Sequence, residues 1–278
     1  MILSGKAALA GVLGWPVSHS RSPRLHNFWL ARHGIDGAYL PLPVAPADFA
    51  IAVQGLRAAG FRGANVTIPH KEAAFAVCDA VDASASEAGA VNTLVFSDGA
   101  VTGSNTDGAG FVANLRDHGA NAAAGPALLL GAGGAARAIA ATLLGLGVKV
   151  HVANRSPERA EALVRALPGL QTISWEQRAT ALGDYALVVN TTPMGMLGNA
   201  PLDLDLWRAS AGMTVADIVY VPLQTPLLAA AEARGLKAVG GLGMLLHQAV
   251  PGFGQWFGVT PVVDREVANL LAADIAPR

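Results

Sequence analysis

Cysteine is almost absent from this chain: Cys78 is the one instance in 278 residues. A lone thiol excludes an internal disulfide and a cysteine-rich zinc site, and fits a reducing cytoplasm. Charge is also scarce, at 14% of residues with a formal net charge of −1, so neither a basic nucleic-acid face nor a polybasic membrane patch is expected. Residues 238–263 carry no Lys, Arg, Asp or Glu, yet Gly240, Gly241, Gly243, His247, Gln248, Pro251, Gly252 and Gly254 interrupt them too often for a membrane helix. The apolar run over 7–15 lacks the charged start and small-residue cleavage site of a signal peptide, and reads as a strand. His19, His26, His33 and His70 never fall at i, i+4 spacing, so no metal is expected. Lysine is rare as well: of 19 basic residues only Lys6, Lys71, Lys149 and Lys237 are lysines. With 52% hydrophobic residues and this length, the chain is expected to form two compact, soluble domains.

What is present is organised around residues 128–140. The run Leu128-Leu129-Leu130 breaks into Gly131-Ala132-Gly133-Gly134-Ala135-Ala136 and resumes at helical spacing, which reads as strand, phosphate loop, helix. Gly131 and Gly133 allow a sharp turn and a close backbone approach to a pyrophosphate, with Ala136 as the small residue where helix packs on strand. The first N–H groups of the helix, at Gly134 and Ala135, then face the phosphates. Residues 148–154 alternate as a second strand, completing a βαβ unit. At its end an NAD site usually carries an acid for the ribose hydroxyl; here stand Asn154-Arg155-Ser156, with Arg159 one turn on. Two cations without an acid suit a 2′-phosphate, which favours NADP(H). Alone, the glycine run also fits an ordinary turn, and both arginines also fit a solvated helix face beginning at Pro157.

The rest of the chain alternates strand and helix. A strand over 7–14 leads into the hydroxyl-rich Ser18-His19-Ser20-Arg21-Ser22-Pro23, with Ser22 as expected N-cap and Pro23 as first helical residue. Hydroxyls at a helix start can equally seat a carboxylate. Strands are expected over 39–44 and 63–69, with a helix over 46–59 between them. Lys71 falls in the first turn of the next helix, where the macrodipole disfavours a cation and lowers its proton affinity; a broken local rule of this kind often marks function. Asn92 is expected inside a strand over 90–96, Ser97-Asp98-Gly99 turns the chain, and Asp107 stands ahead of a helix over 110–116, as its cap or as a catalytic carboxylate. Further helices over 157–167 and 175–181 and strands over 171–173, 186–189, 214–219 and 237–239 have the period of a doubly wound sheet. Thr191 sits in the loop after one of these strands, where ligands of open α/β sheets bind.

Taken together these residues resemble the shikimate dehydrogenase family. The matching stretches are His19 to Pro23, Asn65-Val66-Thr67-Ile68-Pro69-His70-Lys71, Gly89 to Thr93, Asn105-Thr106-Asp107-Gly108, Gly131 to Ala135, Asn154-Arg155-Ser156, Asp217 to Tyr220 with Pro222, Thr225 and Pro226, and Gly241 to Gln248. They run in family order along nearly the whole chain; Ser156 stands where the family often has Thr, and keeps the hydroxyl. The resemblance implies an α/β fold of two domains with a cleft between: a substrate domain with a mostly parallel sheet over 1–108 plus 243–278, and a Rossmann-like NADP-binding domain over 109–242. It implies reversible reduction of 3-dehydroshikimate to shikimate with NADPH, with Lys71 and Asp107 catalytic. Ser20, Ser22 and Tyr220 would hold the substrate carboxylate, and Thr67, Lys71, Asn92, Asp107 and Gln248 its ring hydroxyls. The cofactor set is Gly131, Gly133, Gly134, Ala135, Asn154, Arg155, Ser156, Arg159, Thr191, Ile218 and Gly241. His247 is expected to be a packing residue and His70 a bystander. The alternatives are an enzyme acting on quinate or an aminated shikimate and a non-catalytic NADP-binding regulatory protein. No nucleic-acid or membrane partner is expected, the state being a cytoplasmic monomer or homodimer.

Overall fold

A computed structural model describes residues 2–275. The chain divides into two compact units, one running to Thr106 and resuming over Gln248–Leu271, the other formed by Asp107–His247 and the end of the chain.

The first unit contains β1 (Ala8–Gly14), α1 (Ser22–Arg32), β2 (Gly37–Pro43), α2 (Phe49–Ala58), β3 (Gly63–Val66), α3 (Lys71–Ala76), β4 (Ala80–Val81), α4 (Ala83–Ala88), β5 (Thr93–Ser97) and β6 (Ala100–Ser104). Its sheet has the order β2-β1-β3-β5-β6-β4. β1 lies parallel to β2 and β3 and β4 parallel to β6, while β5 runs antiparallel to both β3 and β6. The hairpin β5–β6 is closed by Asp98 at φ 52° and Gly99 at φ 79°, the positive φ pair that a two-residue turn needs to match strand twist. Leu13, Phe49, Val53, Val66, Leu94 and Val101 form its buried centre. Asn92 does not lie inside the strand as expected, but one residue before β5. Its side chain is committed to buried hydrogen bonds that a ladder position would not reach.

The second unit contains α5 (Asp107–Asp117), β7 (Ala127–Leu130), α6 (Gly134–Gly145), β8 (Val150–Ala153), α7 (Pro157–Ala166), β9 (Gln171–Thr172), β10 (Leu187–Asn190), β11 (Thr214–Asp217), α8 (Pro226–Ala233) and β12 (Lys237–Val239). The sheet order is β12-β11-β10-β7-β8-β9, with every pair parallel. Strands covered on both faces read as unbroken apolar runs, and β7, β10 and β11 are buried at every position. Connections run outward in one direction from β7 and in the other from β10, so the topological switch point lies between these two strands, at whose carboxyl ends open sheets bind ligands. The helix expected over 175–181 is instead two 3₁₀ turns, Glu176–Arg178 and Leu182–Asp184. A seven-residue segment is too short to sustain a helix on its own, and Arg178 spends its guanidinium on the carbonyls of Trp175 and Asp203.

α9 (Leu242–Phe257) and α10 (Arg265–Ile275) complete the chain. From Gln248 onward α9 belongs to the first unit, where Phe253 and Trp256 join His26, Trp29 and Tyr39 in an aromatic cluster and the Trp256 indole N–H donates to the Leu94 carbonyl at 2.9 Å.

Candidate active site

In the second unit the phosphate loop follows from where β7 ends. Gly131 has φ +109°, and a Cβ there would lie 2.7 Å from the Thr191 hydroxyl oxygen; only glycine fits both the conformation and the approach of the loop after β10. Thr191 fastens that approach, since its N–H and hydroxyl both donate to the Leu130 carbonyl, at 2.9 and 2.7 Å. α6 opens at Gly134 behind Gly133, an N-cap with no side-chain hydrogen bond. The first-turn N–H groups, including those of Gly134 and Ala135, therefore have neither an intrahelical partner nor a capping side chain, which suits an anion. Ala136 is buried as the small contact of helix on strand.

At the end of β8, the Asn154 amide donates to the Ser156 carbonyl at 2.9 Å and shapes the turn into α7. Arg155 and Arg159 are exposed on that turn and on the first turn of α7. The sequence reading passed over Glu158: the Ser156 hydroxyl, rather than capping α7, donates to the Glu158 carboxylate at 2.6 Å. That hydrogen bond, with help from the Glu158 backbone N–H, holds the carboxyl below its ordinary range. The visible signal was an acid at the second position of a helix, which the dipole favours. Ile218 donates its N–H to the Asn190 carbonyl at 3.1 Å. A Cβ on Gly241 would meet the Ile218 carbonyl oxygen at 2.2 Å, so the structure brings Gly241 and Ile218 together backbone to backbone. Tyr220 follows two residues later, half-buried.

In the first unit, Ser22 is the first residue of α1 and not its cap. The N-cap is Arg21, without a side-chain bond, because the turn is closed one step earlier, where the Ser20 hydroxyl accepts the Ser22 N–H at 3.3 Å. Thr67 leaves β3 with its N–H on the Leu13 carbonyl at 2.9 Å. Lys71 begins α3, as the spacing required, behind His70 as N-cap. His70 is buried, donates from Nε2 to the Val44 carbonyl at 2.8 Å and stacks on Phe49 at 4.6 Å, so it anchors α3 to its surroundings.

Asn92 is the hub of this unit. Its amide donates to Thr106 Oγ1 at 2.9 Å and to Gln248 Oε1 at 3.3 Å, while its carbonyl oxygen accepts the Thr106 N–H at 2.9 Å. Thr106 Oγ1 in turn donates to the Gln248 main-chain carbonyl at 2.7 Å, and Val91 ties the hub to the Lys71 carbonyl at 2.9 Å. Sequence reasoning missed Thr106, and missed Asn65, which accepts from the Tyr39 hydroxyl at 2.7 Å and donates to the Asn92 carbonyl at 3.1 Å. Asp107, buried and next in the chain after Thr106, opens α5 in the second unit. His247, expected to pack, is instead an ion-pairing residue with Nε2 2.7 Å from Asp117 Oδ2, because α9 brings its ring beside the last turn of α5.

Residues 12–94 match the shikimate dehydrogenase substrate binding domain, and residues 115–195 match the shikimate / quinate 5-dehydrogenase family. The shikimate dehydrogenase (NADP(+)) of Acidiphilium cryptum is 70% identical over 275 residues, covering 99% of each chain. Among solved structures, shikimate 5-dehydrogenase from Thermus thermophilus in complex with NADP(H) and shikimate is 38% identical with a TM-score of 0.86, covering 97% of this chain and all of that one. Quinate dehydrogenase from Corynebacterium glutamicum in complex with NAD is 30% identical with a TM-score of 0.88, covering 96% of this chain and 99% of that one. Identity of this order along the full length, on a fold whose Asn92 hub and phosphate loop lie where the motifs put them, means that the chain belongs to the shikimate dehydrogenase family.

Proposed function

We propose that this protein interconverts 3-dehydroshikimate and shikimate with NADP(H) as hydride carrier. The observation that carries the reading is the buried hub joining Asn92, Thr106 and Gln248, which holds polar side chains ready for a polyhydroxylated ring. Thr67, Lys71, Asn92, Asp107 and Gln248 hold the ring hydroxyls, and Ser20, Ser22 and Tyr220 the carboxylate. The cofactor, when bound, supplies or accepts the hydride. Its pyrophosphate suits the uncapped N–H groups at Gly134 and Ala135 beside Gly131 and Gly133. Its 2′-phosphate suits Arg155 and Arg159 with Asn154 and Ser156, and Thr191, Ile218 and Gly241 border the rest.

As hydride reaches the carbonyl carbon the oxygen gains charge and needs a proton; Lys71 donates it, with Asp107 orienting the ammonium and holding the adjacent hydroxyl. In the reverse direction the same amine takes the proton back, which a guanidinium would not do. This reading assigns 1–108 with 243–278 to the substrate and 109–242 to the cofactor, in a cytoplasmic monomer or homodimer. Steady-state assays crossing shikimate and quinate with NADP and NAD test it. The highest kcat/KM is expected for shikimate with NADP, and a maximum for quinate with NAD would overturn it.

A further inference from the structure

We infer that Asp217 is a positioning residue: its buried carboxylate joins the loop after β10 to the loop after β11, and so sets where Ile218 and Tyr220 are presented. The inference rests on the cofactor and substrate assignments proposed above for those two loops. Asp217 is the last residue of β11, in register with Asn190, the last residue of β10; both are almost fully buried. Its Oδ1 accepts from the Asn190 amide at 2.9 Å and from the Val219 N–H at 3.0 Å, and its Oδ2 accepts from the Thr225 hydroxyl at 2.7 Å.

Each donor carries the restraint onward. The Asn190 amide also donates to the Met194 carbonyl at 3.0 Å, and Asn190 Oδ1 accepts the N–H and hydroxyl of Thr192 at 3.0 and 2.7 Å. Thr225 caps α8 by accepting the Leu228 N–H at 3.3 Å. The Leu197 N–H donates to the Val221 carbonyl at 2.8 Å, a second tie between the same loops. All three partners of Asp217 donate, and only an ionised carboxylate offers acceptors alone. An amide of the same size would turn an N–H toward at least one donor. Burial pushes the Asp217 carboxyl up to about 6, with Thr225, Val219 and Asn190 pulling the other way, so the group is kept in spite of a desolvation cost.

Hydrogen exchange and steady-state kinetics on the full chain test this with Asp217→Asn, and with Thr225→Val should the first variant fail to fold. The comparison variant is Leu182→Ala, which removes buried volume from the same unit and no bond from either loop. Asp217→Asn is expected to deprotect 191–197 and 218–225 together, and to raise KM for NADP and for shikimate roughly tenfold or more, with a smaller change in kcat. Thr225→Val is expected to act in the same direction, less strongly. Leu182→Ala, with a comparable or larger loss of Tm, is expected to leave both KM values within about twofold, as for a substitution acting on stability alone. Deprotection of 218–225 alone, or KM values that follow Tm as in Leu182→Ala, would make Asp217 a fold stabiliser and overturn the inference. Exchange and direct NADP⁺ titration need no turnover. A wild type that fails to oxidise shikimate would thus count against the proposed function, while the loop coupling is still decided by the variants.

Discussion

Acid should weaken the first unit through His26, by an amount the structure allows to be worked out. The imidazole is wholly buried, stacked on Tyr39 with centroids 4.0 Å apart, and bordered by Trp29, Phe253 and Trp256 at 5.7 to 5.8 Å. Neither ring nitrogen has a hydrogen-bond partner. Burial pushes its pKa from 6.5 down to about 3, and the nearby Asn65 offsets only part of that. The folded pKa lies below the unfolded one, so the unfolded chain binds the proton more readily. The stabilisation tied to a neutral His26 is complete above pH 6.5 and is lost as pH falls toward 3, at up to about 1.4 kcal/mol per pH unit. Between pH 8 and pH 5 the loss comes to about 2 kcal/mol, a large share of the ~5–15 kcal/mol that holds a domain folded. The assay is urea unfolding followed by tryptophan emission at pH 8, 6.5 and 5, for the wild type and His26→Leu; Trp29 and Trp256 report from the same cluster. The variant, less stable at pH 8 because the aromatic packing is disturbed, is expected to lose about 2 kcal/mol less on going to pH 5. Identical pH dependence in the two proteins would refute the reasoning.

Three further outcomes follow from the site. Lys71→Met should lower kcat by roughly 10²–10⁴-fold with a modest change in shikimate KM, and Lys71→Arg should not restore it; near-normal kcat with weak binding would make Lys71 an anchor only. Arg155→Ala should raise the KM for NADP more than that for NAD, whereas Glu158→Gln, by releasing the Ser156 hydroxyl and removing a like charge, should lower the NADP KM selectively. Equal effects on both cofactors would sink the 2′-phosphate assignment. Replacing Ser20 and Ser22 together by Ala should weaken shikimate far more than NADP, and a methyl ester of shikimate binding as well as the acid would disprove the contact.

Much of this molecule was legible from local pattern because the forces concerned are local. The break of Leu128-Leu129-Leu130 into glycines places the end of β7 and the start of α6 within a residue or two, since φ at Gly131 and the uncapped first turn depend on immediate neighbours. Lys71 at a helix start, the Asp98-Gly99 turn and the Thr225-Pro226 cap are of the same kind. What only the tertiary structure decided are contacts between residues far apart in the chain. Asn92 reaches Thr106 and Gln248 across separations of 14 and 156 residues, and Asp217 reaches Asn190 across 27; nothing in the spacing of either residue names its partner. The same holds for the missing helix at 175–181, where Arg178 is drawn to Asp203, and for His247, which the docking of α9 beside α5 turns into the partner of Asp117. Propensity acts over a few residues, while burial and the satisfaction of polar groups are settled only when distant segments meet. The chemistry-bearing residue types could therefore be picked out in sequence, and the buried hydrogen bonds that hold them came only with the fold.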